Sequence, residues 1–239
     1  MPHLRGTCDV ENVPGTFDFN YAGPDGQEYH LRRQLPSEAE AWLANLRAAK
    51  LQPFVKRTDS VFEYGVGFGW NLMTLECRQK AGFDVASSLR STVEARGIRF
   101  VEDLGALSAE SFDVVVCHHT LEHLPNPAEA LQIMLRLLKP LGKLLLFVPY
   151  EFERKYRRQN PSDKAHHLYS WTVSSLSNLV VAQGFQLDSA RLQRFRFDRA
   201  AAAAAYKLKI GEPGYRLVRA LGLSLLPEYE ISAIAKKAK

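Results

Sequence analysis

The stretch VFEYGVGFG, residues 61–69, decides how the rest of the chain is read. A short apolar run ends in Glu63, and glycines follow at Gly65, Gly67 and Gly69. This pattern predicts a buried strand turning sharply toward a helix, since glycine tolerates the required torsions and lets a ligand approach the backbone. The dinucleotide version of the turn is G-x-G-x-x-G, with the pyrophosphate on a helix N-terminus. Its third glycine would fall at Trp70, and a carboxylate at Glu63 would repel a pyrophosphate. The turn suits a ligand with a positively charged amino group and no phosphate.

S-Adenosylmethionine (SAM) has that character, and a nicotinamide dinucleotide does not. A purely structural strand–helix turn is the competing reading of these nine residues. The other segments of the chain have to choose between the two.

At 239 residues the chain has room for one domain with additions and a substantial core. With 46% apolar and 24% charged residues it is globular in composition, not disordered. Cys8, Cys77 and Cys117 have no C-x-x-C spacing and are expected as free thiols, with Cys77 on a helix and Cys117 at a strand end. No apolar run reaches the ~18 residues of a membrane span, and MPHLRGTCDVENVPG lacks a signal-peptide core. A cytoplasmic setting is the expectation. The net charge of +5 is unevenly placed: Arg154, Lys155, Arg157 and Arg158 cluster, and eight basic residues between Arg191 and Arg219 face only Asp198 and Glu212. Such faces are solvated surface or meet phosphate or carboxylate groups.

Residues 1–36 read as an irregular lead-in, and Ser37 with Glu40 forms a capping box for an amphipathic helix carrying Trp42, Leu43 and Leu46. That helix is expected to lie across the main fold as a cap. From Ser60 onward strands and helices alternate. VFEY, GFDVA, IRFVEDL, FDVVVCHH and KLLLFVPY read as strands, FQLDSARL and the terminal EYEISAIAK as two more. WNLMTLECRQKA, SSLRSTVEARG, PAEALQIMLRLLKPLG and SWTVSSLSNLVVAQGF read as the helices between them. The alternation predicts an α/β fold: a doubly wound, mostly parallel seven-stranded sheet with helices on both faces. Ligands of such sheets bind at the carboxyl ends of the strands. The organisation expected is a lead-in and cap helix over 1–57, an α/β core over 58–190, a helical insertion or lid over 191–228 and a final core strand over 229–239.

Asp84 ends the second predicted strand, fifteen residues after Gly69. A carboxylate at that place can accept both ribose hydroxyls, and the short spacing calls for a short first helix. Asp103, after the third strand, is placed to accept from an adenine amino group. HHTLEHLPNP follows the fourth strand, with His118 facing the cleft and His119, Glu122 and His123 within one turn. His119-x-x-Glu122-His123 matches a metal-binding pattern in outline. No further ligand helix is apparent, so no metal is expected, and Glu122 and His123 equally suit hydrogen bonds that hold the loop.

Together these segments resemble the class I SAM-dependent methyltransferases, nearest the small-molecule branch. EYGVGFG matches the cofactor loop, GFDVA the ribose strand, FDVVVCHHTLEHLPNP the loop after the fourth strand, and KPLG stands where KPGG is usual. The resemblance covers roughly residues 58–190 and the terminal strand. It implies that Glu63, Gly65 and Gly67 hold the methionine portion, Asp84 the ribose, and Asp103 and Leu104 the adenine, with His118 on the sulfonium side. Tyr64, Gly69, Asn71 and Val85 complete the implied cofactor set. Some related O-methyltransferases carry a metal-ligating Glu where His119 stands here.

The implied reaction is methyl transfer from SAM to an oxygen, nitrogen or carbon of a small molecule by in-line displacement. Positioning supplies about 7–11 kcal/mol of such a barrier. His119, His123 and His167 are the candidate general bases, and Tyr150 and Tyr169 the candidate acceptor-orienting groups. His166 and His167 sit in a loop able to close over the site. The insertion FRFDRAAAAAAYKLKIGEPGYRLVRALGLSLLP predicts a helix on its alanine run and a second after Gly214, with Leu217, Leu221 and Leu225 on one side. It reads as a lid over a small acceptor, soluble and acidic, or as a basic amphipathic surface for a lipid-linked one with weak peripheral membrane contact. No nucleic acid is expected. The alternatives are a SAM-fold module without turnover and a nicotinamide-dependent oxidoreductase.

Overall fold

The structure is a computed structural model that describes residues 21–151, 166–225 and 228–238. Seven strands form one sheet: β1 (Ser60–Tyr64), β2 (Gln79–Phe83), β3 (Arg99–Val101), β4 (Phe112–His118), β5 (Leu138–Tyr150), β6 (Phe185–Phe195) and β7 (Glu228–Lys237). Their order is β3-β2-β1-β4-β5-β7-β6, parallel from β3 to β5, with β7 antiparallel to both β5 and β6. The chain therefore winds outward in both directions from β1 and β4, and their carboxyl ends open the crevice typical of such a switch point.

Period-two alternation assigns the two faces of the sheet. Val115 and Cys117 of β4 and Leu144, Leu146 and Val148 of β5 enter one layer, which α4 (Pro127–Leu137) and α5 (Val173–Ala182) cover with Leu131, Met134, Leu176 and Val180. Val114, Val116, Leu145 and Phe147 enter the other, covered by α2 (Ser37–Leu51) and α3 (Arg90–Glu94) through Leu43, Leu51 and Val93. Burial on both faces is why these strands are continuous apolar runs. A third cluster joins α2 to α6 (Asp198–Lys207) and α7 (Gly211–Leu225): Ala201, Ala202 and Ala205 lie against Ala39 and Trp42, and Tyr215 stacks on Trp42 at 6.2 Å. The alanine run thus allows close helix approach besides favouring helix.

Several sequence expectations change. WNLMTLECRQKA is not a helix: after turns that bury Leu72 and Leu75, Gln79 and Lys80 are drawn into β2 by pairing with β1, which leaves Cys77 in the connecting segment. Sheet pairing overrides local propensity there. The lead-in holds a helix, α1 (Gly23–Leu31), opened by Pro24 but only weakly amphipathic, so periodicity misses it. Ser37 begins α2 without capping it, and Glu40 turns inward to accept from Trp70 Nε1 at 3.1 Å and pair with Arg96 at 2.6 Å. Strand β6 runs on to Phe195, so the insertion starts later than residue 191, and its second helix begins at Gly211, before Gly214. Leu217, Leu221 and Leu225 cover no pocket; all three are more than half exposed. The basic cluster Arg154, Lys155, Arg157 and Arg158 and Cys8 lie outside the described residues. No helix among the described residues is long and apolar enough to cross a membrane.

Candidate functional site

A cleft of about 710 Å³ opens at the carboxyl ends of β1 and β4, within the roughly 300–1,000 Å³ common for small-molecule sites. Its floor is the glycine loop. The N–H groups of Gly65 and Val66 both donate to the Phe83 carbonyl, at 2.8 and 2.9 Å, which ties the loop to the end of β2. Gly65 has φ +81°, and a Cβ there would overlap the Thr120 side chain. Gly67 has φ +50° and lines the cleft, with nothing within 4 Å of where a Cβ would stand. That bare backbone is a cradle a side chain would fill. Asp84, one residue past β2, accepts from the Gly67 N–H at 2.7 Å and the Ala86 N–H at 3.0 Å. Burial pushes its carboxyl up, and those backbone bonds oppose the rise.

Glu63 lies fully buried behind the cleft wall. Asn71, which does line the cleft, donates to its Oε1 and receives a 3.4 Å contact from Arg47 on α2. Glu63 Oε2 and Arg47 Nε are both buried without a hydrogen-bond partner. Burial raises the Glu63 carboxyl to about 8, against the Asn71 hydrogen bond and the Arg47 charge. One orphaned carboxylate oxygen and one orphaned guanidinium N–H at the same corner match the ammonium and carboxylate of an amino acid. Of this set Asn71 and Arg47 face the cleft and Glu63 stands behind them, an arrangement compatible with the amino-acid end of SAM.

Past β4, Lys50 donates to His118 Nε2 at 3.1 Å and to Glu230 of β7, which also accepts from Gln193. His119, at φ +53°, stacks on His118 with ring centroids 4.6 Å apart and donates through Nε2 to Glu230 Oε2 at 3.0 Å. Burial alone would raise the Glu230 carboxyl; the His119 hydrogen bond and the Lys50 charge outweigh it and hold it at about 2. Burial, aided by Lys50, pushes His118 well down, so it is a neutral imidazole. A carboxylate fixes one nitrogen of His119 and leaves the other as an acceptor for a proton.

Further along the loop Glu122 is completely buried, and its backbone carbonyl accepts from Leu168 and Tyr169. His123 lines the cleft, with Nδ1 3.0 Å from the Tyr21 hydroxyl. Burial first, then the nearby His167, depresses it to about 3. His167 donates through Nδ1 to Glu151 at 2.7 Å, and its ring meets that of His123 at 4.8 Å.

Of the residues singled out in the sequence, Tyr64, Gly65, Gly67, Asn71, Asp84, Val85, His118, His119 and His123 line the cleft. Glu63, Gly69, Asp103, Leu104 and His167 do not. Asp103 is exposed and accepts from the Gly105 N–H at 2.7 Å, and Gly69 faces Ile98. Tyr150 and Tyr169 also stand outside the cleft wall; the Tyr169 hydroxyl donates to the Pro125 carbonyl at 2.9 Å, and Tyr21 and Tyr29 occupy the wall instead. The sequence reading missed Arg33, Arg47, Arg199 and the pair Lys50–Glu230. Arg47 and Lys50 are three residues apart on α2, a same-face helical spacing that signals a polar stripe beside the apolar one. Glu230 carries no local signal, because only β7 inserted beside β5 brings it to His119.

A doubly wound sheet with this loop and this charge corner defines a nucleoside-cofactor-binding α/β protein. A family model described as a methyltransferase domain matches residues 31–190. The chain belongs to that family, the class I SAM-dependent methyltransferases, whose cofactor is SAM. A ubiquinone biosynthesis O-methyltransferase from Xanthomonas oryzae pv. oryzae is 49% identical over 49 residues, a match spanning 20% of this chain and 20% of that one. A SAM-dependent methyltransferase of Thermotoga maritima superimposes with TM-score 0.60 at 16% identity, covering 89% of this chain and 94% of its own. Phosphoethanolamine N-methyltransferase 2 of Haemonchus contortus, bound to phosphomonomethylethanolamine and S-adenosylhomocysteine, gives TM-score 0.57 at 15% identity over 82% of this chain and 53% of its own. At such identities the two structures show the shared fold alone.

Proposed function

We propose that the chain methylates an oxygen of a small anionic acceptor, and that His119 takes the acceptor's proton. The observation that carries this reading is the pair Arg33 and Arg199. Both line the cleft, and among the described residues neither pairs with a carboxylate. Burial, then the charges of Arg33 and Arg47, lowers the Arg199 guanidinium, the mark of a neighbourhood with surplus positive charge. An anion relieves that surplus. Tyr29, Phe195 and Phe197 beside them suit an aromatic or similarly flat body.

Bound SAM supplies an already activated methyl group. With SAM held there, the acceptor oxygen would bond to the methyl carbon as the carbon–sulfur bond broke, its electron pair staying on a neutral sulfur. The acceptor proton passes to the ring nitrogen of His119 not held by Glu230. Imidazole suits proton transfer near neutral pH, worth about 10²–10⁴-fold. Asp84 for the ribose, and Glu63, Asn71 and Arg47 for the methionine end, are the proposed cofactor contacts. The 49-residue likeness to ubiquinone O-methyltransferases supports a phenolic oxygen as the nucleophile. The exposed Leu217, Leu221 and Leu225 favour, as a second reading, an acceptor carried on a lipid.

The test is a panel of hydroxylated aromatic acids and their neutral counterparts, scored by product mass. Acids are expected to react, Arg33→Ala and Arg199→Ala to raise KM at least tenfold, and His119→Ala to lower kcat by about 10²–10⁴. Transfer confined to neutral amines, with KM indifferent to both arginines, would overturn the reading. Co-sedimentation with anionic vesicles, abolished in Leu217→Ser/Leu221→Ser, would move the acceptor to the membrane.

A further inference from the structure

We propose that His30 of α1 is a cofactor-binding residue: its Nε2–H donates to the oxygen of a ribose hydroxyl whose own proton Asp84 accepts. This rests on the reading of Asp84 as the ribose carboxylate. It adds a residue that lies outside the stretch matched by the methyltransferase-domain model, which begins at residue 31, whereas His30 belongs to α1.

The geometry brings His30 to the ribose end of the cleft. It lines the cleft together with Gly67, Phe68, Asp84 and Val85. Its ring meets that of Phe68 edge-on, with centroids 5.6 Å apart and planes at 86°. Phe68 directly follows Gly67, whose N–H donates to Asp84 at 2.7 Å. The imidazole and the carboxylate therefore flank the same turn of the glycine loop. The Tyr29 ring braces the imidazole from within α1, edge-on at 5.1 Å.

His30 Nε2 is buried and has no hydrogen-bond partner. Buried polar atoms are ordinarily satisfied, so an unmet one on a cleft wall points to a ligand atom. Burial, the larger influence, lowers the pKa of His30 against the Asp84 charge that raises it, so the ring is neutral near pH 7. A neutral imidazole offers one N–H donor. Asp84 spends hydrogen bonds on the Gly67 and Ala86 N–H groups, and among the described residues none joins it to His30. A carboxylate has about four lone-pair sites, which leaves room for a ligand hydroxyl. A hydroxyl satisfies both neighbours at once, since it donates to the carboxylate and accepts from the imidazole. SAM carries hydroxyls only on its ribose. An adenine nitrogen could meet His30, but it has no proton to give Asp84.

The test is calorimetry on the full chain with S-adenosylhomocysteine and its 2′-deoxy and 3′-deoxy analogues, which bind without turnover. In the wild type, removing the bridging hydroxyl should weaken binding about tenfold or more, because two hydrogen bonds are lost. His30→Phe keeps a ring against Phe68 and removes Nε2. It should weaken S-adenosylhomocysteine about tenfold, yet bind the analogue lacking the bridging hydroxyl as well as the wild type does. Urea unfolding without cofactor should show His30→Phe no less stable than the wild type, since an unmet polar atom is gone. Three results would each overturn the proposal. Both deoxy analogues might bind the wild type as tightly as the parent, His30→Phe might leave all affinities unchanged, or it might weaken all three ligands equally. Asp84→Asn is measured in parallel. If it weakens S-adenosylhomocysteine while His30→Phe does not, His30 alone is excluded; if it leaves that affinity intact, the ribose reading of Asp84 fails.

Discussion

Substituting Glu63 by Gln probes the charge corner without changing its shape. Burial moves the Glu63 carboxyl from 4.5 to about 8. Each pH unit of displacement corresponds to about 1.4 kcal/mol, so the full effect is on the order of 3–5 kcal/mol. The sign depends on which state holds the proton. Below pH 4.5 both folded and unfolded chains carry the neutral acid, and Glu63 costs nothing. Between 4.5 and 8 the unfolded chain ionises while the folded one keeps its proton, so stability falls as pH rises, and the whole penalty is present above 8. Glutamine has no charge to bury and still accepts the Asn71 hydrogen bond. The measurement is urea unfolding of both proteins, without cofactor, at pH 5, 7 and 8.5. The two should be nearly equally stable at pH 5, with Glu63→Gln ahead by on the order of 3 kcal/mol or more at pH 8.5. Asp84 and Glu122, also pushed up by burial, steepen both curves and cancel in the difference. A difference constant across the range would refute the desolvated carboxylate. If the ammonium of SAM meets Glu63, SAM should also bind more tightly at pH 8 than at pH 6 in the wild type and show no such trend in Glu63→Gln.

Gly65→Ala forces a Cβ against Thr120 at a left-handed φ, with an expected loss of about 2–5 kcal/mol in urea unfolding. Gly67→Ala meets open space, so it should lower stability far less while weakening SAM by at least tenfold in calorimetry, the cleft being where its methyl group goes. Asp84→Asn keeps one acceptor oxygen but loses the charge proposed to meet the ribose, and SAM affinity should fall about 10–100-fold, the range of one charge-assisted hydrogen bond. Unchanged affinity there would remove Asp84 from the cofactor site.

The sequence by itself determined the sheet and the glycine loop at the floor of the cleft. The doubly buried runs of β4 and β5 are apolar at every position that enters a layer, and a tight strand–loop turn must be built from glycine, so both are written locally in residue type. Asp84 was legible for the same reason: a fixed short distance separates it from Gly69. Contacts between residues distant in the chain were not legible. Gln79 and Lys80 join a strand because β1 lies beside them, and Glu40 leaves its expected cap because Trp70 and Arg96 reach it first. The hydrogen-bonded pair His119–Glu230 spans 111 residues, and His167 reaches His123 only because its loop folds back over Glu122. Tertiary structure alone decided the end of the cleft proposed for the acceptor, because it is assembled from α1, the loop after β4, the start of α6 and the end of β6. No periodicity links those segments; the charges and rings they bring together have meaning only as neighbours.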